Sequence, residues 1–200
     1  AYEAGKTELQ QNTPMTLAET ASILCETIIT EAVLATTTDP QEELAVLEAQ
    51  IQGAAQVIVD IYSRYLFEKE VLERREQAEL AADDFNDIME RAQKATYGDG
   101  LDERYLQKFM WTWKPHYYSS GFPFYNFPYA FGLLFGTGLF AIYQQRGDEF
   151  VADYKNLLAS TGEASAAKLA KRFGIDITKR KFWEDSLAII GKRIDRYCEL

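Results

Sequence analysis

Apolar residues recur at helical intervals along most of this chain, with charged or polar residues between them. Leu17, Ala21, Leu24, Ile28 and Ala35 fall on one helical stripe. In front of it, Thr16-Leu17-Ala18-Glu19 reads as a capping box, Thr16 at the N-cap and Glu19 reaching back from the third helical position. A second, longer helix opens at Asp39-Pro40, where a proline loses nothing because its missing N–H would have no partner in the first turn. Leu44, Ile51, Ile58, Tyr65 and Leu72 then recur every seven residues, and Leu47, Ala54 and Ile61 supply the adjoining seam. That repeat is the signature of helix packed on helix. A third helix near Asp84 to Thr96 turns Phe85, Ile88, Met89 and Ala92 inward and stops at Gly98-Asp99-Gly100. Further on, Asp148 is placed to cap a helix bearing Phe150, Val151, Tyr154, Leu157 and Leu158, ended by Gly162. A short helix runs to Gly174, and the last begins near Thr178 and buries Trp183, Leu187, Ile190 and Ile194. No run alternates as a half-buried strand would. The pattern predicts an all-α fold, a single multi-helix domain over residues 1–200 without internal repeats.

Composition narrows the function. Two hundred residues suffice for one sizeable core, and 26% charged residues argue against wholesale disorder. A net charge of −10 opposes nucleic-acid binding, which depends on Lys and Arg neutralising phosphates. The basic run Lys168 to Lys181 is the local exception, and its spacing makes it a solvated helix face. Cys25 and Cys198 match no metal or redox spacing, which points to a reducing, cytoplasmic setting. Ala1 to Asn12 is polar and carries no secretory signal, and the chain opens without Met as though in mid-domain, so it reads as a fragment. Residues 115–145 contain no Asp, Glu, Lys or Arg, a length that would span a bilayer. Pro123, Pro128, Asn126 and four glycines would leave backbone groups unpaired in lipid, so the stretch is assigned to a protein interior.

That stretch also carries the candidate chemistry. Of 12 tyrosines, 12 phenylalanines and 3 tryptophans, twelve residues lie between Tyr105 and Phe131. They surround His116, the only histidine, and are punctuated by Pro115, Gly121, Pro123 and Pro128. Tyr125 and Tyr129 stand four apart, so a helical turn projects both hydroxyls the same way, suited to donate to a developing oxyanion. An aromatic core wall with hydroxyls at its rim satisfies the same pattern. On the first helix Glu19, Ser22, Glu26 and Thr30 share a face. It reads either as a solvated face or as one metal-ligating carboxylate with a second that supports it. Gly132, Gly136 and Gly138 lie in an apolar run and suit close helix packing. No H-E-x-x-H, P-loop, nucleophile elbow or dinucleotide fingerprint occurs.

Five strings in fixed order carry a resemblance: PMTLAETASILCET at 14–27, KPHYY at 114–118, FYNFPYAFGLLFGTGLFAIY at 124–143, LLASTG at 157–162, and FGIDI at 173–177 with FW at 182–183. Together they resemble the oligoendopeptidase F family, zinc metallopeptidases related to thimet oligopeptidase. The resemblance implies an all-α C-terminal part of a catalytic domain that hydrolyses short peptides by metal-assisted attack. It implies Glu19 of LAETAS as the third protein ligand to zinc, Glu26 as a group supporting it, and His116 with Tyr125 or Tyr129 as donors to the substrate carbonyl. Tyr118 and Tyr125 enter as substrate-binding residues, Tyr118 also as a substitute donor because the spacer SSGFPF loosens the match. The family's other two ligands and its general base sit on an H-E-x-x-H helix that these 200 residues lack. The expectation is therefore a chain inactive alone and partnered by the missing N-terminal part, with short peptides as substrates and no nucleic acid or membrane. Its exposed apolar surface would favour self-association. The rival readings are a non-catalytic helical module that binds peptides or a partner, and a membrane-associated helical protein.

Overall fold

The computed structural model describes residues 5–121 and 124–200. Among them every regular element is helical and no strand occurs, as the periodicity predicts. The chain forms two compact units, one from residues up to Ala54 together with Phe131–Leu200, the other from Ala55–Ala130.

The first unit begins with a one-turn helix α1 (Met15–Ala18) and continues as α2 (Thr20–Thr36), which is followed by α3 (Pro40–Ala55). The expected capping box is not formed. Pro14 takes the N-cap, which puts Thr16 inside α1, and the helix breaks at Glu19 with φ −91° and ψ −1°. The Glu19 side chain turns forward instead: Ser22 Oγ donates to Glu19 Oε2 at 3.0 Å and to the Glu19 carbonyl at 2.9 Å. The buried face of α2 also differs from expectation. Thr20, Leu24, Thr27 and Thr30 face inward, whereas Ile28 is 39% exposed and Ala35 lies on the surface.

Glycines on α6 (Phe127–Arg146) explain that rotation. Helix α2 is apolar on most sides, so its own pattern does not select a face. A Cβ built on Gly136 would lie 2.6 Å from Ile23 Cγ2 and 3.3 Å from the Leu24 amide nitrogen, so the two helices meet almost backbone to backbone on that side. Gly132 approaches Glu19 in the same way, its Cβ position 3.0 Å from Glu19 Cβ. Gly138 accommodates Phe182 and Ser186 of α9 (Arg180–Glu199). That contact turns Ser186 and Ile190 inward and leaves Leu187 and Ile194 each 42% exposed, against the expectation that both are buried.

Phe135, Leu139, Phe140, Phe150, Leu157 and Leu169 fill the core between α6, α7 (Asp148–Ala159) and α8 (Ala166–Arg172). Trp183 packs on Phe131 with ring centres 5.3 Å apart and donates its indole N–H to the Ile177 carbonyl at 2.9 Å. Arg193 of α9 is paired with Glu31 at 2.8 Å, tying the last helix to α2. The turn after α7 rests on Gly162 at φ +93°, a conformation costly for any residue with a Cβ. A Cβ there would also strike the Gln10 carbonyl and lie 3.1 Å from the Asn12 carbonyl oxygen. Gly162→Ala is expected to lower stability by roughly 2–4 kcal/mol, adding left-handed strain to overpacking against backbone. An unchanged urea midpoint would contradict this account of the turn.

The second unit opens with a wide π-type turn, Gln56–Asp60, that leads into α4 (Ile61–Arg75). Helix α5 (Ala82–Tyr97) follows, with the Asp84 carboxylate accepting the Ala81 N–H at 2.9 Å and Gly98 ending it at φ +54°. Phe67, Ile88, Met89, Ala92 and Met110 form its core. The predicted seven-residue seam is buried at Leu47, Ala54 and Ile61, and its next position is occupied by a carboxylate, Glu68, which is also buried. Beyond α5 the chain runs through 3-10 turns at Met110–Trp113 and Pro115–Tyr118, which position the aromatic cluster.

Candidate functional site

His116 is carried on the turn Pro115–Tyr118, and Lys114 before it is held extended (φ −92°, ψ 102°) by the following proline. Its ring lies 4.3 Å from the Tyr117 ring centre and 6.2 Å from that of Tyr125. Tyr125 in turn meets Tyr129 edge to face at 5.7 Å, but it lies in the turn before α6, so the two do not share the helical turn expected from their spacing. The structure thus brings His116, Tyr125 and Tyr129 into one contiguous set of rings. His116 Nε2 is buried and has no hydrogen-bond partner. Burial, helped by the charges of Arg64 and Lys114, holds the imidazole below its ordinary value, while the Asn126 side chain favours the charged form. Burial thus favours the uncharged ring.

Beneath this set lie groups the sequence reading did not single out. Glu68, only 7% exposed, accepts from the Phe124 backbone N–H at 2.6 Å and from Asn126 Nδ2 at 2.8 Å. Burial raises the Glu68 carboxyl, and those two donors oppose the rise. Asp60, set by the π-type turn, accepts from Gln56 at 2.5 Å, from the Tyr97 hydroxyl at 2.9 Å and from Arg64. Burial and that bond push the Tyr97 phenol up to about 12. The Tyr117 hydroxyl reaches the Arg64 carbonyl at 3.4 Å, and burial moves the phenol well above its ordinary value. The signal for Glu68 was present in the sequence: it is a charge at a seam position where the repeat asks for an apolar residue.

Tyr118 does not join the His116 rings. Its hydroxyl donates to the Trp111 carbonyl at 3.1 Å. With Phe67, Phe85, Trp111 and Tyr117 it walls a cavity of about 260 Å³, enough for one large apolar side chain. Pro123, expected to shape this wall, lies outside the described residues. In the other unit, Glu19 and Glu26 lie exposed two turns apart on and beside α2. Glu19 is held by Ser22 as above, and Glu26 accepts from Gln50 Nε2 at 3.2 Å. Thr30, expected on their face, is buried. Among the described residues no three His, Cys, Asp or Glu side chains gather to hold a metal ion.

A model of peptidase family M3 matches residues 4–189. The chain belongs to this family. It is 26% identical over 186 residues to chromosomal oligoendopeptidase F of Lactococcus lactis subsp. cremoris, covering 91% of this chain and 30% of that protein. The crystal structure of oligoendopeptidase-F from Enterococcus faecium superposes on it with a TM-score of 0.81 at 24% identity, over 99% of this chain and 37% of that one. This M3 chain thus spans about a third of the length of the relatives it matches. Within the family frame, one helical run among the described residues, Pro40–Arg75, is long and apolar enough by length and composition to cross a membrane. The uncharged stretch 115–145 is not that run.

Proposed function

We propose that this chain forms part of the catalytic domain of a cytoplasmic zinc metalloendopeptidase that hydrolyses short peptides, its two units acting within one domain. Glu19 is the third protein ligand to zinc and Glu26 supports it. Zinc, when bound, would polarise the scissile carbonyl and activate water. The residues of this chain do the rest on the substrate side. A phenol of Tyr125 or Tyr129 donates to the carbonyl oxygen as it gains negative charge, His116 binds beside it, and Tyr118 offers an apolar wall to a peptide side chain. The observation that carries the reading is the contiguous His116–Tyr125–Tyr129 set, with a buried imidazole nitrogen left unpartnered. Oligoendopeptidase F, by its name, acts within oligopeptides, and that substrate class is transferred on the family membership.

The 200-residue chain by itself is expected to cleave nothing, because its sequence has no H-E-x-x-H to supply two ligands and the general base. The natural full-length protein is expected to hydrolyse an internally quenched short peptide, to stop when a chelator removes zinc, and to recover when zinc returns. Chelator-sensitive turnover by the 200-residue chain, or chelator-resistant turnover by the full-length protein, would overturn the proposal.

A second reading rests on Tyr105, Phe109, Trp113 and Tyr118, which are 56–65% exposed in the second unit. They would suit a helical module that binds peptides or a partner without cleaving them. Peptide binding by the full-length protein with no cleavage at any zinc concentration would favour it. Exposed Ile28, Ile29 and Val33 on α2 are, in the peptidase reading, the apolar surface that the remainder of the enzyme or a second copy covers.

A further inference from the structure

We propose that Glu68 is a positioning residue for Tyr125: by holding the residues on either side of it, one buried carboxylate sets where the phenol stands. That Tyr125 then serves a substrate carbonyl rests on the peptidase reading; its placement does not. Tyr125 lies in the turn before α6, so its position depends on that turn. Both of its neighbours are tied to Glu68. The Phe124 backbone N–H donates to Glu68 Oε1 at 2.6 Å, and Asn126 Nδ2 donates to Oε2 at 2.8 Å. The Asn126 N–H also donates to the Phe124 carbonyl at 2.6 Å, which closes the bend around Tyr125. From this bend the Tyr125 ring stands 6.2 Å from that of His116 and 5.7 Å from that of Tyr129.

Local preference does not give the bend its shape. Phe124 stands at φ +55°, the only described non-glycine residue with a positive φ. Such backbone costs about 1–3 kcal/mol and persists where the surroundings over-determine it. Glu68 supplies that determination from within α4, beside buried Phe67. Tyr65, one turn earlier on the same helix, packs on the Phe124 ring at 5.7 Å. Both groups that face the carboxylate are N–H donors, and an ionised carboxylate offers an oxygen to each. An amide there would have one oxygen for two donors, and an apolar side chain would have none. Glu68 is 7% exposed and Asn126 2%, so bulk water does not replace a lost bond.

A single 3-fluorotyrosine at position 125 of the natural full-length protein reads this placement, because one fluorine gives one signal whatever the size of the chain. Wild type is expected to show one fluorine line, displaced from its position in the denatured protein. Glu68→Gln turns an amide N–H towards a donor, and Asn126→Asp sets two carboxylates face to face. Each is expected to shift the ratio of held to released phenol by about 10-fold or more, the worth of a hydrogen bond to a charged group. A second line near the denatured position would report the released form. Combining Glu68→Gln with Asn126→Asp reverses the pairing: the new amide donates to the new carboxylate, and its oxygen still accepts the Phe124 N–H. This double variant is expected to regain the wild-type line. Ile88→Val, a core change in the same unit, is expected to lower the melting temperature and leave the line in place. The proposal is overturned if the single variants keep the wild-type line, if the double variant does not regain it, or if Ile88→Val displaces it equally. The double variant decides the matter should a single variant fail to fold. In the peptidase reading, Glu68→Gln also lowers kcat with KM little changed and adds no loss in a Tyr125→Phe background. The fluorine line needs no turnover, so failure of the peptidase reading would leave the positioning role standing. A displaced phenol with unchanged kcat would support that role and count against Tyr125 as the donor.

Discussion

Glu19→Gln in the natural full-length protein is expected to lower zinc affinity by more than about 100-fold, and peptide hydrolysis with it. Losing a group that merely supports a ligand costs about 10–100-fold, and losing an anionic ligand itself should exceed that. The fold should survive. Gln keeps an oxygen to accept from Ser22 and the same Cβ against Gly132, and the side chain is exposed, so stability should change by no more than about 0.5 kcal/mol. Zinc content at full stoichiometry in the purified, folded variant would remove Glu19 from the proposal.

The next largest effect is expected at the tyrosine pair. Phenylalanine at the donating position, Tyr125 or Tyr129, keeps the edge-to-face packing and removes only the hydroxyl. Loss of one oxyanion donor costs roughly 100–1,000-fold in kcat, here with zinc retained and KM little changed. If both single variants stay within about 5-fold of wild-type kcat, neither phenol serves the oxyanion. His116→Ala should show a different dependence. Burial holds the imidazole below 6.5, and acidification through that lowered value charges the ring and turns Nε2 into a donor. The kcat penalty of His116→Ala is therefore expected to be larger at acid pH and to shrink as pH rises. A penalty independent of pH would show that the imidazole acts through packing. The same shift bears on stability: the ring is more readily protonated in the unfolded chain, so its contribution is present above pH 6.5 and is lost as pH falls.

Much of the helical layout was legible because helices announce themselves by period and punctuation. Pro40 opens one helix, Gly98 closes another, and Phe150 and Leu157 mark a third at the spacing of two turns. Which face of a helix turns inward was less legible. In α2 and α9 apolar residues surround much of the axis, and the choice is made by Gly136 and Gly138 on another helix, which admit Ile23 and Ser186. The capping box failed because Pro14 sets the start of α1 one residue before Thr16, which leaves Glu19 at a break. The aromatic cluster could be found from composition and from the four-residue spacing of Tyr125 and Tyr129. Its support could not, since Glu68 meets Phe124 and Asn126 across more than fifty residues and no local pattern encodes that contact. A charge in the heptad seam was the one trace it left.

The central claim is that Glu19 belongs to a zinc site whose other ligands lie outside these 200 residues. Anomalous diffraction at the zinc edge from crystals of the natural full-length protein tests it most directly. The account predicts a single strong zinc peak with a Glu19 carboxylate oxygen about 2.0–2.2 Å away. A zinc peak whose ligands do not include Glu19 would contradict it.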